Sequence, residues 1–250
     1  MMKIAILLRR VPDTTSKIVI GAGGTSIDPS GVKFIPNPYD EYAIEAALAL
    51  KEAAGDGETV VVSFGGDSVQ ETMRTALAMG VDRGVHLQGE PSADGLANAR
   101  VLADHLRDGG YDLILGGKLA VDDYGQQTGP MIAELLGIPC ATAITSLVVE
   151  GGTARVTREV EGGVESASAA LPAVFTCDKG LNNPRLPGLK GIMAAKKKPL
   201  EVIPTAASAA QVTIASLALP PERPAGRIVG EGAAAVPALI TALTSEAKVL

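Results

Sequence analysis

Short apolar runs alternate with amphipathic segments of helical length through the first 140 residues of the chain. The run at Lys3–Leu8 is continuously apolar, as in a strand that is covered on both faces. This alternation predicts an α/β fold, in which helices cover both faces of a mostly parallel sheet. The predicted strands are Lys3–Leu8, Glu58–Ser63, Val85–Leu87 and Tyr111–Leu115, and the predicted helices are Asp40–Lys51, Ser68–Met79, Asp94–Leu106 and Gln127–Leu136.

Polar residues at two of the helix starts suggest how these helices begin. Asp40 stands where an N-cap is expected. Ser68 and Glu71 have the spacing of a capping box, in which each side chain bonds the other residue's backbone N–H. We therefore expect side-chain caps on both helices.

The pattern changes after residue 140. Thr142–Glu150, Thr153–Val160 and Val164–Ala169 are separated by glycine pairs and predict a small antiparallel meander. Leu171–Cys177 predicts a further buried strand. The tail contains Pro220, Pro221 and Pro224 and ends in a predicted helix at Ala233–Leu243. We expect a domain over residues 1–205 and an arm over 206–250, which packs either on a partner chain or on the chain's own core.

Composition excludes several classes of function. The chain has 250 residues and a net charge of −6, and only 3% of its residues are aromatic, which disfavours nucleic acid as a partner. Two cysteines exclude a disulfide scaffold. No segment resembles a signal peptide or a membrane span. We expect a protein of a reducing compartment, preferably the bacterial cytoplasm and otherwise the mitochondrial matrix.

Four loops follow predicted strands and are rich in glycine and polar residues: Arg9–Ser16, Ser63–Ser68, Gly116–Thr128 and Asp178–Arg185. The carboxyl ends of parallel strands are where open α/β sheets bind ligands. Gly65 and Gly66 precede a helix, which suits either a phosphate seat or a tight turn. This loop is also similar to the S-G-G-x-D-S loop of ATP pyrophosphatases, but Phe64 replaces the first glycine.

The loop Gly116–Thr128 is longer than most connections in compact domains, and long loops are commonly functional. Asp122 and Asp123 are candidates for contacts with ribose hydroxyls. Gln126, Gln127 and Thr128 are candidates for contacts with a sugar or phosphate, although one of them is also expected to cap the following helix.

The remaining reactive residues form no recognisable catalytic set. His86, His105, Cys140 and Cys177 do not have the spacing of metal ligands, so we expect no metal site. The sequence has no nucleophile motif, and Lys196–Lys198 predicts a solvated helix end. These observations favour a binding or carrier subunit. An ATP-using enzyme and a free-standing nucleotide-binding domain are the alternatives.

Several motifs together resemble one family, the beta subunits of electron transfer flavoproteins. They are VPDTTSKI, NPYDEYAIEAAL, ETMRTALAMGVDRGVHL, GGKLAVDDYGQQTGP, REVEGGVES, LPAVFTCD and GLNNPRLPGLKGIMAAKKKPLEVI. The resemblance extends to about residue 205, and the tail after it is poorly matched.

The resemblance implies a heterodimer of alpha and beta subunits that carries electrons and is not itself an enzyme. One FAD lies near the subunit interface, and the beta subunit is a modified Rossmann-type domain that binds a structural AMP. The C-terminal arm embraces the alpha subunit. Electrons come from dehydrogenases such as the acyl-CoA dehydrogenases of fatty acid β-oxidation and pass to a membrane quinone oxidoreductase. A bifurcating branch of the family, which uses NADH, has a second FAD in place of AMP, but the loop motifs resemble the AMP-binding branch more closely.

The resemblance also assigns residues. Tyr39 matches an aromatic position near the flavin. Leu189, with Leu186 close by, matches the leucine that docks on dehydrogenases, although the alternative is a core residue. Phe64 and Gln126 depart from the common family residues. The implied cofactor contacts are Leu7, Asn37, Pro38, Tyr39, Asp40, Phe64, Gly65, Gly117, Lys118, Ala120, Asp122, Asp123, Gln126, Gln127 and Thr128. The acidic net charge suggests partners with basic patches.

Overall fold

A computed structural model of the chain describes residues 1–223 and 225–250. Two compact units are present, Met1–Ser216 and Leu217–Leu250. In the first unit the strands are β1 (Lys3–Leu7), β2 (Arg10–Pro12), β3 (Phe34–Pro36), β4 (Glu58–Gly65), β5 (Arg83–Gln88), β6 (Leu113–Gly117), β7 (Cys140–Glu150), β8 (Thr153–Val160), β9 (Gly163–Ala170), β10 (Ala173–Cys177) and β11 (Leu200–Pro204). Its helices are α1 (Pro38–Ala54), α2 (Val69–Met79), α3 (Gly95–Arg107), α4 (Thr128–Leu136) and α5 (Leu189–Ala195).

Nine of the strands form one sheet, in the order β11-β5-β4-β1-β6-β10-β7-β8-β9. The pairs from β11 to β7 are parallel, and β8 and β9 continue the sheet as an antiparallel meander. The strands β2 and β3 form a separate antiparallel pair. The predicted α/β fold with a mostly parallel sheet and a meander is therefore confirmed. The predicted strands, and the predicted helices before residue 140, are all present, and their ends differ from the prediction by at most three residues.

Alternation along β1 explains why helices cover both faces of the sheet. Ile4 and Ile6 point into a core cluster that includes buried residues of α1 and α2. Ala5 and Leu7 point into a second cluster with α3 and α4. Since successive side chains of a strand face opposite ways, a strand with two apolar faces needs a helical layer on each side.

The two predicted side-chain caps are wrong. The helix α1 begins at Pro38 after Asn37, so Asp40 lies inside its first turn, where its carboxylate bonds groups outside the helix. The backbone of Ser68 is already helical, and its side chain makes no cap hydrogen bond. An N-cap side chain reaches the free N–H groups from an extended backbone, which explains why the box with Glu71 does not form.

The prediction gave no bounds for four elements, which are β2 and β3 before residue 40 and α5 and β11 after residue 177. Each is short, and β11 is largely exposed at a sheet edge, so none has a strong apolar period.

Lys196 and Lys197 are exposed as predicted, but the predicted solvent exposure is wrong for Lys198, which is half-buried. Its Nζ donates at 3.0 Å to the carbonyl of Leu77 in the last turn of α2 and at 2.6 Å to the carbonyl of Val81 just after that helix.

The second unit contains short helical segments. A 3-10 turn at Ala233–Ala235 leads into α6 (Val236–Thr241), which continues as a π-helical segment at Ala242–Ala247. The predicted single helix at Ala233–Leu243 is therefore replaced by a composite one that extends further. Pro224 of the predicted arm lies outside the described residues. The packing of the arm on a partner stays a prediction.

Within residues 1–223 and 225–250, every helix is too short or too polar to cross a bilayer.

Candidate functional site

The strands that follow β1 in the chain are added first on one side of it and then on the other. From β1 the chain adds β4 and β5 on one side, and it then returns to place β6 on the other side. The carboxyl ends of β1 and β6 therefore lie at a topological switch point, and open α/β sheets bind their ligands in the crevice that such a point creates. Leu7 and Gly116 lie at these ends, and both are largely buried.

The Asp40 carboxylate connects the two sides of this crevice. Its Oδ2 accepts the Arg9 N–H at 2.8 Å from the end of β1. Its Oδ1 accepts the Gly117 N–H at 2.9 Å from the end of β6, and also the Asn37 amide at 2.9 Å. Asp40 is only 5% exposed. Burial raises its pKa to about 7, against these donors and the Arg9 charge, which favour the ionised form.

Asn37 fixes the start of the long loop to α1. Its Nδ2 donates to the Leu119 carbonyl at 2.8 Å, and its Oδ1 accepts the Val121 N–H at 3.2 Å. The side chain is buried, and both of its polar ends are bonded. A buried amide whose donors and acceptors are all bonded restricts the backbone it contacts to one conformation. The first half of the loop therefore has a defined position.

Gly117 lies where no larger residue fits. A Cβ at this position would lie 2.5 Å from Asp40 Oδ1 and 2.7 Å from Tyr39 Cβ. The end of β6 therefore approaches the first turn of α1 more closely than any side chain allows. This approach brings the Gly117 N–H to the Asp40 carboxylate.

Arg9 joins the second half of the loop to the end of β1. Its guanidinium pairs with Asp122 at 2.8 Å and with Asp123 at 2.5 Å. Burial raises the pKa of Asp122, whereas Arg9 acts in the opposite direction. The two carboxylates therefore lie together at the mouth of the crevice, beside a guanidinium.

The rest of the loop is exposed. Tyr124 and Gln126 both have a left-handed backbone, with φ of 53° and 55°. The side chain of Gln127 lies near Gly95 at the start of α3. Thr128 begins α4, and among the described residues no side chain caps this helix. Gln127 occupies the N-cap position, which agrees with the prediction that one of these residues caps the helix, but its side chain makes no cap hydrogen bond. The first N–H groups of α4 are thus free of side-chain acceptors.

The glycine pair at the end of β4 is tightly packed, which agrees with the tight-turn alternative. A Cβ on Gly65 would lie 2.5 Å from Val69 Cγ1. The N–H groups of Val69 and Gln70 already donate to the carbonyls of Gly66 and Asp67. Gly65 is therefore required by the approach of α2, and α4 offers the freer helix start. Phe64 is half-buried beside this loop.

Lys118 connects the long loop to the loop after β10. Its Nζ donates to Asp178 Oδ2 at 2.8 Å and lies 5.2 Å from the centre of the Tyr39 ring. Its backbone N–H donates to the Cys177 carbonyl at 2.9 Å. Ala120 is buried nearby, whereas Pro38 and Tyr39 are half-buried. The structure thus brings most of the predicted cofactor residues to one edge of the sheet, where the part of the loop from Asp122 to Gln127 is exposed.

Comparison with known proteins identifies the family. The model of the electron transfer flavoprotein domain matches residues 25–208. The electron transfer flavoprotein subunit beta of Bacillus subtilis is 43% identical over the whole of both chains. The protein of the same name from Bradyrhizobium diazoefficiens is 41% identical over the whole of both chains. The human protein of that name is 40% identical over 90% of this chain and 91% of its own.

The chain belongs to the electron transfer flavoprotein beta subunit family. The resemblance inferred from the sequence motifs is thereby confirmed. Membership implies a role in electron transfer, a flavin-related cofactor and an alpha subunit as partner.

The residues that match the family's docking leucine are exposed. Leu186 and Leu189 are 91% and 76% exposed, so the alternative interpretation as core residues is wrong. Leu189 is the first residue of α5, and Ile192 and Met193 on the same helix are also exposed. The crevice and this helix are thus two separate candidate sites of the flavoprotein subunit.

Sequence reasoning did not single out Arg9 or the ion pairs of Arg185 with Glu45 and Glu52. These pairs join residues that lie 113 to 140 positions apart in the chain. Opposite charge was the only available signal, and the chain offers many such pairs. No local spacing indicates which of them form.

The close approach at Gly117 predicts a large effect of a single methyl group. Gly117→Ala should lower the free energy of unfolding by about 1–3 kcal/mol, because the added Cβ overlaps Asp40 and Tyr39. Urea denaturation measures this change. The control is Gly163→Ala, where nothing lies within 4 Å of the added Cβ and which should change stability by less than about 0.5 kcal/mol. Equal effects of the two substitutions would contradict the assignment.

The raised pKa of Asp40 predicts a pH-dependent stability. The folded state binds a proton more tightly than the unfolded chain, so this stabilisation is complete below about pH 4 and is lost as the pH rises through about 7. Between pH 5 and pH 8 the wild-type chain should lose about 2–3 kcal/mol from this group. Asp40→Asn should lose correspondingly less over that range in urea titrations. An unchanged pH dependence in the variant would show that Asp40 has an ordinary pKa.

Proposed function

We propose that the chain is the beta subunit of a heterodimeric electron transfer flavoprotein that binds one AMP and encloses one FAD together with its alpha subunit. The complex accepts electrons from dehydrogenases, including acyl-CoA dehydrogenases, and passes them to a membrane quinone oxidoreductase. Family membership supports the electron-transfer role. The observation that carries the AMP site is the crevice between β1 and β6, which the long loop borders and the uncapped start of α4 adjoins.

The chemistry of the crevice suits a mononucleotide. N–H groups at a helix start donate to phosphate, and the helix dipole favours its negative charge. The carboxylates of Asp122 and Asp123 are acceptors for ribose hydroxyls. Arg9 offsets one of the two negative charges of these carboxylates, so they repel an anionic ligand less strongly. Main-chain groups from Gly117 to Thr128 would hold the remaining nucleotide atoms.

The FAD supplies the redox chemistry when it is bound, and the residues of this chain hold the groups around the cofactor sites in place. Asp40 holds the ends of β1 and β6 to α1. Lys118 holds the Asp178 loop beside Tyr39, the aromatic residue expected near the flavin. None of these contacts requires the side chains to exchange protons with a substrate. A carrier subunit needs such a rigid frame because the rate of electron transfer depends on the distance between donor and acceptor, and no covalent bond to a substrate is formed.

We assign dehydrogenase docking to the exposed apolar residues of the segment 179–198. This segment contains six basic residues and no acidic residue, although the whole chain has a net charge of −6. The expectation that partners present basic patches therefore does not extend to this surface. The complementary dehydrogenase surface is an apolar pocket with an acidic rim. Leu186 and Leu189 are the residues that enter such a pocket.

Nucleotide analysis of the complex tests the cofactor assignment. The chain is produced together with its alpha subunit, and the nucleotides of the purified complex are extracted and quantified. One FAD and one AMP per heterodimer are expected. Two FAD and no AMP would assign the complex to the bifurcating branch. A colourless protein that hydrolyses ATP would contradict the proposed function.

Leu189→Ala tests the docking assignment. Removing a leucine that is buried only in the encounter complex costs about 1.5–3 kcal/mol, which corresponds to a roughly 10- to 100-fold lower kcat/KM for electron transfer from a dehydrogenase. The flavin content should stay unchanged. The control is Val148→Ala, which shortens an exposed apolar residue on β7 and should leave the rate unaltered. An unchanged rate in Leu189→Ala would exclude this leucine from docking.

A further inference from the structure

The two docking leucines lie between two anchored stretches of chain. Before them, Asn182 Nδ2 donates to the Tyr42 carbonyl of α1 at 2.9 Å. The backbone N–H of Arg185 donates to Glu45 Oε2 on the same helix at 3.0 Å. The chain is therefore held along α1 up to the residue that precedes Leu186.

The guanidinium of Arg185 makes this anchor a specific one. Its Nε and Nη2 donate to the two oxygens of Glu45 at 2.8 and 2.9 Å. Its Nη1 and Nη2 donate to the two oxygens of Glu52 at 2.6 and 3.0 Å. Glu45 and Glu52 lie two turns apart on one face of α1. Charge-assisted bidentate pairs of this kind are directional and strong.

The electrostatic environment agrees with this geometry. The Arg185 hydrogen bonds hold the pKa of Glu45 and of Glu52 below their usual values, and the two glutamates raise the pKa of Arg185. The side chain of Glu45 is only 13% exposed. Because Arg185 covers it, Glu45 has little surface of its own to offer to a partner.

A second anchor follows the leucines, where α5 packs on α2. Arg74 Nη1 donates to the carbonyls of Ala195 and Lys198 at 2.6 and 2.8 Å. Lys198 donates in return to one carbonyl in the last turn of α2 and to one just after that helix. A Cβ on Gly191 would overlap the Ala78 carbonyl oxygen, so α5 lies directly on the backbone of α2.

We infer that Arg185 is a positioning residue that holds the docking leucines in their binding geometry by fixing residues 182–185 to α1. This inference rests on the proposed docking function. Ordering a free loop on binding costs about 1–2 kcal/mol per residue in conformational entropy. An anchored loop loses this entropy on folding, so its partner binds more tightly through the same contacts.

The choice of α1 as the anchor has a geometric consequence. The first turn of this helix carries Asp40, which ties it to the crevice. Glu45 and Glu52 follow Asp40 by about 7.5 and 18 Å along the helix axis. The docking segment is therefore fixed to the same rigid element that borders the candidate nucleotide site. A docked dehydrogenase is thereby held at a set distance from that site.

The test separates positioning from direct charge contact. In the purified heterodimer with its flavin, the double variant Glu45→Gln, Glu52→Gln weakens the anchor while Arg185 keeps its charge. Electron transfer from a dehydrogenase should show a KM for the heterodimer that is raised about 5- to 10-fold, with kcat and flavin content unchanged. Amide hydrogen exchange over residues 182–190 should become faster. Arg185→Lys should give an intermediate KM, because one ammonium cannot serve both carboxylates.

The matched control is Glu150→Gln, which removes one acidic charge from the exposed pair with Arg155 on the β7–β8 hairpin. It should change neither the KM nor the exchange rates at residues 182–190. An increase in KM for Arg185→Ala without one for the double glutamine variant would mean that Arg185 contacts the dehydrogenase directly, which overturns the inference. Unchanged exchange in the double variant would overturn it as well.

Failure of the inference can be told from failure of the proposed function. If Leu189→Ala loses activity while the double variant does not, docking stands and positioning by Arg185 is wrong. If Leu189→Ala and the double variant both transfer electrons normally while exchange is faster, the anchor exists but serves no docking. That result would overturn both the docking assignment and the inference.

Discussion

The buried carboxylate of Asp40 is the contact on which the rest of the site depends. It accepts N–H groups from the ends of β1 and β6 and from Asn37, and so joins two strands and a helix at the point where the sheet reverses direction. A carboxylate can accept from several donors at once, which no apolar residue of similar size can do. Desolvation opposes this arrangement, as the raised pKa shows. The crevice is therefore held by a group that is costly to bury and fully bonded once it is buried.

Two consequences follow from placing this contact in the first turn of α1. The long loop after β6 starts from a fixed point, because Gly117 and Asn37 hold it against the helix. The middle and the last turn of the same helix bind Arg185, and so hold the segment before Leu186 and Leu189, the proposed docking residues. The helix thus connects the two candidate sites of the subunit. A protein that carries electrons between partners benefits when its docking surface and its cofactor region move as one body.

The sequence predicted the fold better than it predicted the contacts. Continuous apolar strands and amphipathic helices have strong periods, so β1, β4 and α1 to α4 were found with small errors at their ends. The short elements α5 and β11 have no such period. Asp40 was assigned to a helix cap because local spacing allows it, whereas its actual partners at Arg9 and Gly117 are distant in the chain. The Arg185 pairs with Glu45 and Glu52 were missed for the same reason. The exposure of Leu189, which the preceding Pro187 and Gly188 favoured, is confirmed, whereas its docking role stays a prediction.

The central claim is that the crevice between β1 and β6 holds a mononucleotide in this subunit. A crystal structure of the heterodimer, purified without added nucleotide, tests it most directly. The account predicts difference density for one AMP in the crevice, in contact with the loop from Gly117 to Thr128 and with the start of α4. Density for a second FAD at that position, or an AMP bound elsewhere on the subunit, would contradict the account.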